Sequence, residues 1–436
     1  MDIEDSISRF VADTTFDDLP GEVVHEAGRR VIDSIGVALA SRSSPPAKAA
    51  RKLMPLYPGR APLIGGGSAS PDMASFYNTL LIRYLDFNDT YLSKEPLHPS
   101  DMIGALLAVG SMKGCSSRDL LLAIAVGYEV GTRLCDSASL RSKGYDHVNY
   151  LEIATAAALS KMLHFSREKI VNAISMTIVP NVALRESRVG DLSMWKGGAA
   201  ANASRNAAFS ALATESGFTA PARPISGQLA FRNIICPDLD PASFARLGKP
   251  RAILRTYVKK YPVEYHAQSA VDISLSLNST LGRGRIDSVR IETYEAGKSI
   301  LADGEKWHPR NRETADHSLP FIVAAALSGG DFWLDSYDRI GESALMGLMS
   351  RTEVAEREDF TSRYPSTLPT RIVVRTASGE LSEEMEVPKG HWKNPLTDEE
   401  LEAKFMRLTG RRKLLVALRD IDGLKVSRIV KLTEQR

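Results

Sequence analysis

The residues of this chain that could do chemistry are concentrated in a few polar segments. The first, YLDFNDTYLSKEPLHPSD, lies between two apolar stretches and offers carboxylate, hydroxyl and imidazole groups at Asp86, Asp89, Thr90 and His98. Polar density of this kind predicts a loop between helices. Its side chains could cap those helices or act on a ligand, and the sequence leaves both interpretations open.

Two further segments add positive charge and a second histidine. In RSKGYDHVNY, His147 precedes an Ala-rich helical stretch, where it is either an acid or base or an ordinary loop residue. In RESRVGDLSMWKGG, Lys196 precedes Gly197 and Gly198 at a predicted helix start, whose free N–H groups and dipole favour an anion. Arg188 would add charge there, whereas the competing interpretation is a solvated lysine beside closely packed glycines.

The last polar segment, VKKYPVEYHAQ, joins the helical part of the chain to a part with strand patterns. It contains His266 and the adjacent pair Lys259 and Lys260, of which Lys260 is the candidate site residue. Clefts between domains are favoured places for small-molecule sites. Together, these cationic and hydrogen-bonding groups with a minority of carboxylates predict a site for a small di- or tricarboxylate that undergoes proton transfer.

These segments must be positioned by helices, which dominate the first part of the chain. From 20 to 41 the apolar residues recur at three- and four-residue steps, which predicts a helix with one buried face. Ser166 precedes another apolar run and is the predicted N-cap of that helix. Further helices are predicted at 74–84, 103–112, 118–134, 151–163, 168–179 and 199–215.

The pattern changes after about residue 273. Residues 286–295 alternate as a strand, and 370–388 are typical of two strands joined around Ser378 and Gly379. Helical patterns lie between these strands, which is typical of a small α+β domain.

We therefore expect a mainly α protein with a smaller α+β domain. The helical domain is predicted over residues 1–268 and is completed by the tail 398–436, whose short helices need a larger core to pack against. The α+β lid domain is predicted over 269–397.

Composition, net charge and cysteine spacing exclude several classes of protein. The 436 residues carry a net charge of only +2, which argues against binding to nucleic acid. The 3 cysteines are scattered without a paired motif, so we expect free thiols in a reducing compartment and no metal site. The acidic N-terminal segment lacks a secretory signal and the apolar runs are short, so we expect a cytoplasmic protein without a membrane span.

The motifs in these segments resemble the MmgE/PrpD family, which includes 2-methylcitrate dehydratase, cis-aconitate decarboxylase and iminodisuccinate epimerase. They run along nearly the whole chain: DFNDT followed by HPSD, SMWKGGAAANASRNA, KKYPVEYHAQSAVD, ETADHSLPF and KGHWKNPLTDEELEAKF. Asn88 stands where many members have Asp, and the stretch from Thr90 to His98 is longer than in the decarboxylase type. Both features are more similar to the methylcitrate dehydratase side of the family.

The resemblance implies a helical domain facing an α+β lid, an active site in the cleft, and a homodimer. The family's site residues carry over onto Asp86, Thr90, His98, His147, Lys196, Lys260 and His266. Whether Lys259 or Lys260 faces the site stays open, because the two are adjacent and the spacing to His266 differs among members.

The resemblance also implies an activity. We expect a lyase without cofactor or metal that removes water from a hydroxy-tricarboxylate resembling 2-methylcitrate, as in propionate metabolism. His98 or His147 would supply acid or base, Asp86 would orient one of them, and Lys196 would stabilise developing charge. The expected substrate-binding residues are Asp89, Thr90, Arg188, Lys260 and His266. A decarboxylase or isomerase on a related di- or tricarboxylate, and a non-catalytic carboxylate-binding protein, are the alternatives.

Overall fold

The structure is a computed structural model that describes residues 2–190, 192–245, 247–281 and 285–435. The chain forms two compact units. The first comprises Met1–Val189, Met194–Thr256 and Thr397–Arg436, and the second comprises Gly190–Ser193 and Tyr257–Leu396.

The first unit is built from helices. They are α1 (Ile3–Asp13), α2 (Gly21–Ser41), α3 (Pro45–Leu53), α4 (Pro71–Arg83), α5 (Ile103–Lys113), α6 (Ser117–Ser137), α7 (Val148–Met162), α8 (Arg167–Ile178), α9 (Trp195–Glu215) and α10 (Phe231–Ile234). Two short paired strands, β1 (Ala61–Pro62) and β2 (Ser68–Ala69), stand between α3 and α4.

The second unit combines helices with a sheet. Its helices are α11 (Gln268–Leu281), α12 (Glu295–Leu301), α13 (Arg312–Ala315), α14 (Leu319–Gly329), α15 (Ser343–Met349) and α16 (Glu358–Thr361). Its strands are β3 (Ile286–Thr293), β4 (Thr352–Glu356), β5 (Thr370–Thr376) and β6 (Gly379–Met385). The chain then returns to the first unit with α17 (Asp398–Thr409), α18 (Arg412–Arg419) and α19 (Val426–Leu432).

The sheet of the second unit has the strand order β4-β3-β5-β6. Strand β3 runs parallel to β4 and antiparallel to β5, and β6 runs antiparallel to β5. Val289 and Ile291 of β3 are buried and pair with Val374 and Ile372 of β5, so alternate residues of both strands enter the apolar core. Helices α11 and α14 contribute to the same core.

In the first unit, close helix packing brings the polar segments together. The interior contains the Ala-rich helices α7 and α9, whose small side chains permit close approach. Gly104 of α5 is required for such a contact, because a Cβ atom there would lie 2.4 Å from the backbone nitrogen of Thr79 on α4. Helix α4 leads into the first polar segment and α5 leads out of it, so this packing fixes both ends of the segment.

The predicted fold class, mainly α with a smaller α+β part, is confirmed. The predicted helices are present with ends shifted by a few residues, and the two strands around Ser378 and Gly379 are β5 and β6. Ser166 caps α8, since its side chain accepts a hydrogen bond from the Lys169 backbone. A membrane-crossing helix is absent from the described ranges, because length and apolar character do not coincide in any helix there.

Candidate active site

The buried carboxylate of Asp86 lies between two buried cations of the first unit, Arg83 and Lys196. Helix α4 ends at Arg83, and the chain then turns at Asp86, whose φ of 51° lies in the left-handed region that few residues with side chains adopt. Its Oδ1 lies 2.9 Å from Nη1 of Arg83, and its Oδ2 lies 3.1 Å from Nζ of Lys196. All three side chains are buried. Strained residues cluster at functional sites, so this turn is a reason to look for function here.

Lys196 reaches Asp86 because α9 begins against the end of α4. A Cβ atom on Gly197 would lie 3.4 Å from Cα of Tyr84, so the two backbones approach closely at this point, with space for about one carbon atom between them. The predicted helix start near Lys196 is confirmed, with the first helical residue at Trp195. The Lys196 side chain is only 4% exposed, so the interpretation of a solvated surface lysine is wrong.

His98 is buried, and both of its ring nitrogens are hydrogen bonded. Nδ1 lies 2.7 Å from the carbonyl oxygen of Asp89 and 3.1 Å from Oγ1 of Thr90, and Nε2 lies 3.0 Å from Nη2 of Arg83. A guanidinium can only donate, so Nε2 of His98 must accept, and Nδ1 then donates to the Asp89 carbonyl. His98 is therefore held as a neutral imidazole with its proton on Nδ1.

His147 directly precedes α7, and its ring meets that of His98 edge to face, with the centroids 5.6 Å apart. The side chain is 10% exposed, so His147 is not an exposed loop residue. Burial lowers the pKa of His147 to about 3; Arg188 and Arg83 contribute to this, and Asp146 opposes it. Nε2 is buried and has no hydrogen-bond partner among the described residues. His147 is therefore a neutral imidazole whose Nε2 can accept a proton.

Asp146 contacts both His147 and Arg188. Its Oδ1 lies 3.0 Å from Nδ1 of His147, and its Oδ2 accepts hydrogen bonds from Nε of Arg188 at 2.9 Å and Oγ of Ser187 at 2.8 Å. Burial alone would raise the pKa of Asp146, but Arg188 and His147 hold it well below its usual range. Arg188 lies at the end of a short 3₁₀ helix, Arg185–Arg188, and its Nη2 is buried without a hydrogen-bond partner in the described ranges.

The Asp89 carboxylate ties the polar segment to neighbouring helices. Oδ2 accepts a hydrogen bond from the Tyr128 hydroxyl of α6 at 2.5 Å and lies 3.3 Å from Nε of Arg30 on α2. Oδ1 accepts from the backbone N–H of Ser100 at 3.0 Å. Burial raises the pKa of Asp89, against the effect of Arg30 and Tyr128. Through its carbonyl oxygen, the same residue also orients His98.

Lys260 and His266 belong to the second unit and have their own contacts there. Nζ of Lys260 lies 2.8 Å from Oδ1 of Asp272 on α11, and its side chain is 39% exposed, whereas the adjacent Lys259 is fully buried. His266 is buried, its Nδ1 pairs with the Tyr294 hydroxyl, and its backbone N–H donates to Oε2 of Glu264 at 2.7 Å. Lys259 is therefore the lysine of this pair that is inside the fold.

Three further residues of this cluster, Arg83, Asp101 and Asp146, are not among the candidate site residues predicted from the sequence. Nε of Arg83 lies 3.7 Å from Oδ2 of Asp101, and burial raises the pKa of that carboxyl to about 7. Two of the three had a local signal, since Arg83 precedes Asp86 by one helical turn and Asp146 directly precedes His147. Neither position identifies its partner without the fold.

The chain matches known proteins along most of its length. The N-terminal domain model of the MmgE/PrpD family matches residues 5–243, and the C-terminal domain model matches residues 261–413. The chain is 28% identical to the 2-methylcitrate dehydratase of Cupriavidus necator over 430 residues, which cover 90% of this chain and 85% of that protein. It is 27% identical to the 2-methylcitrate dehydratase of Escherichia coli K12 over 403 residues, which cover 83% of this chain and 80% of that protein.

A fungal relative carries a related name. The alkylcitrate dehydratase of the fungal strain ATCC 74256 is 27% identical over 414 residues, which cover 86% of this chain and 82% of that protein. The two family models together span both structural units. On this evidence the chain belongs to the MmgE/PrpD family.

Proposed function

We propose that this protein is a hydro-lyase that dehydrates a hydroxy-tricarboxylate resembling 2-methylcitrate. The relatives named above are dehydratases of 2-methylcitrate or an alkylcitrate, so the citrate core is their common element. The observation that carries the proposal is the buried cluster in which Arg83 and Lys196 flank Asp86, beside a neutral His147. Cations bind carboxylates, and a neutral imidazole accepts a proton.

His147 is the better candidate for the base. Dehydration requires a base to remove the proton next to a carboxylate and an acid to protonate the departing hydroxyl. Nε2 of His98 already accepts a hydrogen bond from Arg83, whereas Nε2 of His147 has no partner in the described part of the chain. His98 then acts by holding Arg83 in position and by completing the polar surroundings of His147.

Lys196 is the candidate for stabilising the negative charge that develops on the substrate. Its ammonium group can donate to a carboxylate or to the departing hydroxyl, and Asp86 holds it in place. A buried cation acts on developing charge more strongly than a solvated one, because little water screens it. Lys196 and His147 would together supply the acid and the base without a metal.

A panel of substrates tests the proposed activity. Purified protein is incubated separately with 2-methylcitrate, citrate, cis-aconitate and a hydroxy-dicarboxylate, while alkene absorbance and released carbon dioxide are followed. We expect alkene without carbon dioxide from a citrate-type substrate. Carbon dioxide would support a decarboxylase, a racemised or isomerised product would support an isomerase, and binding without turnover of any compound would support a silent relative.

We also propose a homodimer. The family resemblance implies a dimer, and several large apolar side chains of the first unit are exposed and could be covered by another chain. They include Leu184, Trp195, Phe209, Phe218 and Leu229. Light scattering of the purified protein should give twice the chain mass, and Phe209→Lys should shift the protein towards the monomer. A wild-type mass equal to that of one chain would contradict the proposal.

A further inference from the structure

We propose that Asp146 is a positioning residue for this reaction, a role separate from those of the histidine and arginine that it contacts. One carboxylate oxygen keeps the proton of His147 on Nδ1, and the other oxygen holds Arg188 ready for a substrate carboxylate. The inference rests on the proposed function, because it assigns its residues to the same site.

The first oxygen determines which nitrogen of His147 carries the proton. Oδ1 of Asp146 lies 3.0 Å from Nδ1 of His147. The negative charge of the carboxylate beside Nδ1 favours a proton on that nitrogen, so the contact stabilises the tautomer with the proton on Nδ1. The lone pair of the neutral ring is then on Nε2, the nitrogen that a base would use.

The second oxygen holds Arg188. Oδ2 of Asp146 accepts from Nε of Arg188 at 2.9 Å, which uses one edge of the guanidinium and leaves Nη2 of Arg188 buried without a partner in the described ranges. A buried guanidinium N–H without a partner is costly, and a carboxylate is the group that satisfies it best. The arrangement therefore favours a ligand carboxylate at Arg188.

Asp146 is itself firmly held, as a positioning residue must be. Its side chain is fully buried, its backbone N–H donates to the carbonyl oxygen of Ala183 at 3.0 Å, and Oδ1 accepts from the Val148 backbone at 3.3 Å. Ser187 adds a hydroxyl donor to Oδ2 at 2.8 Å. Because one carboxylate contacts both groups, its removal should alter the tautomer of His147 and the placement of Arg188 together.

Nitrogen NMR of protein labelled with ¹⁵N-histidine tests the first role without any substrate. The His147 signals are assigned by their loss in His147→Gln. In the wild-type protein we expect the tautomer with the proton on Nδ1. Asp146→Asn should shift His147 towards the tautomer with the proton on Nε2, because an amide N–H can donate to Nδ1. A wild-type His147 protonated on Nε2 would overturn the proposal even if Asp146→Asn does not fold.

Kinetics test both roles against a matched control. Asp146→Asn should lower kcat by on the order of a hundredfold or more, the usual contribution of a general base, and should also raise KM. Arg188→Gln should raise KM while the Nδ1 tautomer of His147 is retained. Ser187→Ala removes a neutral hydrogen bond to the same carboxylate and should leave the tautomer unchanged and kcat within about tenfold.

Two outcomes would contradict the positioning role. One is an Asp146→Asn variant with the wild-type tautomer and wild-type kcat, and the other is a Ser187→Ala variant as impaired as Asp146→Asn. If instead the protein turns over none of the citrate-type compounds, the proposed function fails, while the NMR result still reports whether Asp146 sets the tautomer.

Discussion

Nη2 of Arg83 donates a hydrogen bond to Nε2 of His98 over 3.0 Å, and this bond distinguishes the two histidines of the site. Because a guanidinium stays protonated, it keeps Nε2 of His98 an acceptor and disfavours an imidazolium there. The ring of His147, with its centroid 5.6 Å from that of His98, has no such constraint on Nε2. The two neighbouring histidines therefore differ in whether Nε2 is free of a hydrogen bond from the described part of the protein and can accept a proton from a substrate.

This difference predicts distinct results for the two alanine variants. His147→Ala should lower kcat by on the order of a hundredfold or more, the usual contribution of a general base, with a small change in thermal midpoint. His98→Ala should lower the thermal midpoint clearly, because the buried donor of Arg83 and the carbonyl of Asp89 each lose a partner, at about 1–3 kcal/mol per group. Steady-state kinetics and thermal melts of both variants provide the check. Full activity in His147→Ala would remove the proposed base.

The ion pair of Lys196 and Asp86 predicts that substitutions can change the stability of the protein and its activity independently. Lys196→Met should lower activity by about tenfold or more and reduce the free energy of unfolding by on the order of 2 kcal/mol, because the buried carboxylate loses one of its cations. The double variant Asp86→Asn/Lys196→Met should regain much of that stability but none of the lost activity. Denaturant unfolding and kinetics of both variants and the wild type measure the two effects. An unchanged Lys196→Met enzyme would contradict a role in the reaction.

The helices could be predicted from the sequence because their signals are local. The spacing of apolar residues identifies α2, Ser166 marks the start of α8, and the Gly pair after Lys196 marks the start of α9. The position of Lys196 at a helix start follows from a few adjacent residues. Such features need no knowledge of the rest of the chain.

The contacts of the site depend on long-range packing, which the sequence alone does not reveal. Asp146 and Arg188 are 42 residues apart, and Asp89 and Tyr128 are 39 residues apart. Asp89 was expected to bind substrate as one polar residue among several, and nothing near it in sequence indicates that Tyr128 and Arg30 contact its carboxylate. Its role in substrate binding stays a prediction.

The low pKa of His147 predicts the effect of Arg188 on the pH profile. The groups that act on this ring are Asp146, Asp86, Arg188 and Arg83, with the edge of His98 beside it. The base works unprotonated, so activity falls as pH decreases through its pKa. With a pKa of about 3, His147 should cause no acid loss of kcat/KM in the free enzyme near neutral pH. Arg188→Gln removes a charge that lowers the pKa of His147. The decrease of kcat/KM at acidic pH, which is the acid limb of the profile, should therefore occur at higher pH.

The comparison between variants isolates the enzyme's contribution to this profile. The carboxylates of the substrate titrate identically with wild type and Arg188→Gln, so a difference between their kcat/KM profiles belongs to the protein. Ser187→Ala provides the control and should keep the wild-type acid limb. An acid limb of Arg188→Gln that coincides with that of the wild type would show that Arg188 does not act on the base.

Activity should survive exhaustive chelation. In the first unit, Asp86, Asp89 and Asp146 each lie beside an arginine or a lysine, so a divalent cation would have to compete with a resident positive charge. Turnover is measured after dialysis against a chelator and again after each of several divalent metals is added. Loss of turnover that one particular metal restores would contradict the metal-free mechanism.

Glu152 of α7 predicts how stability changes with pH. Burial raises the pKa of this carboxyl to about 8, against a hydrogen bond that Nδ2 of Asn206 donates to Oε1 at 3.1 Å. The folded protein therefore keeps a proton that the unfolded chain releases near its ordinary pKa of 4.5, so this contribution to stability is lost as pH rises towards about 8. Glu152→Gln retains an oxygen for Asn206 and has no proton to lose.

The wild type and Glu152→Gln should have similar free energies of unfolding at about pH 5, and the variant should be more stable at about pH 9 by on the order of 3 kcal/mol. Denaturant unfolding at both pH values measures this difference. Glu168→Gln changes an exposed glutamate on the neighbouring helix α8 and should leave the wild-type pH dependence unchanged. A Glu152→Gln variant that loses stability between the two pH values as steeply as the wild type would mean that other groups cause the loss.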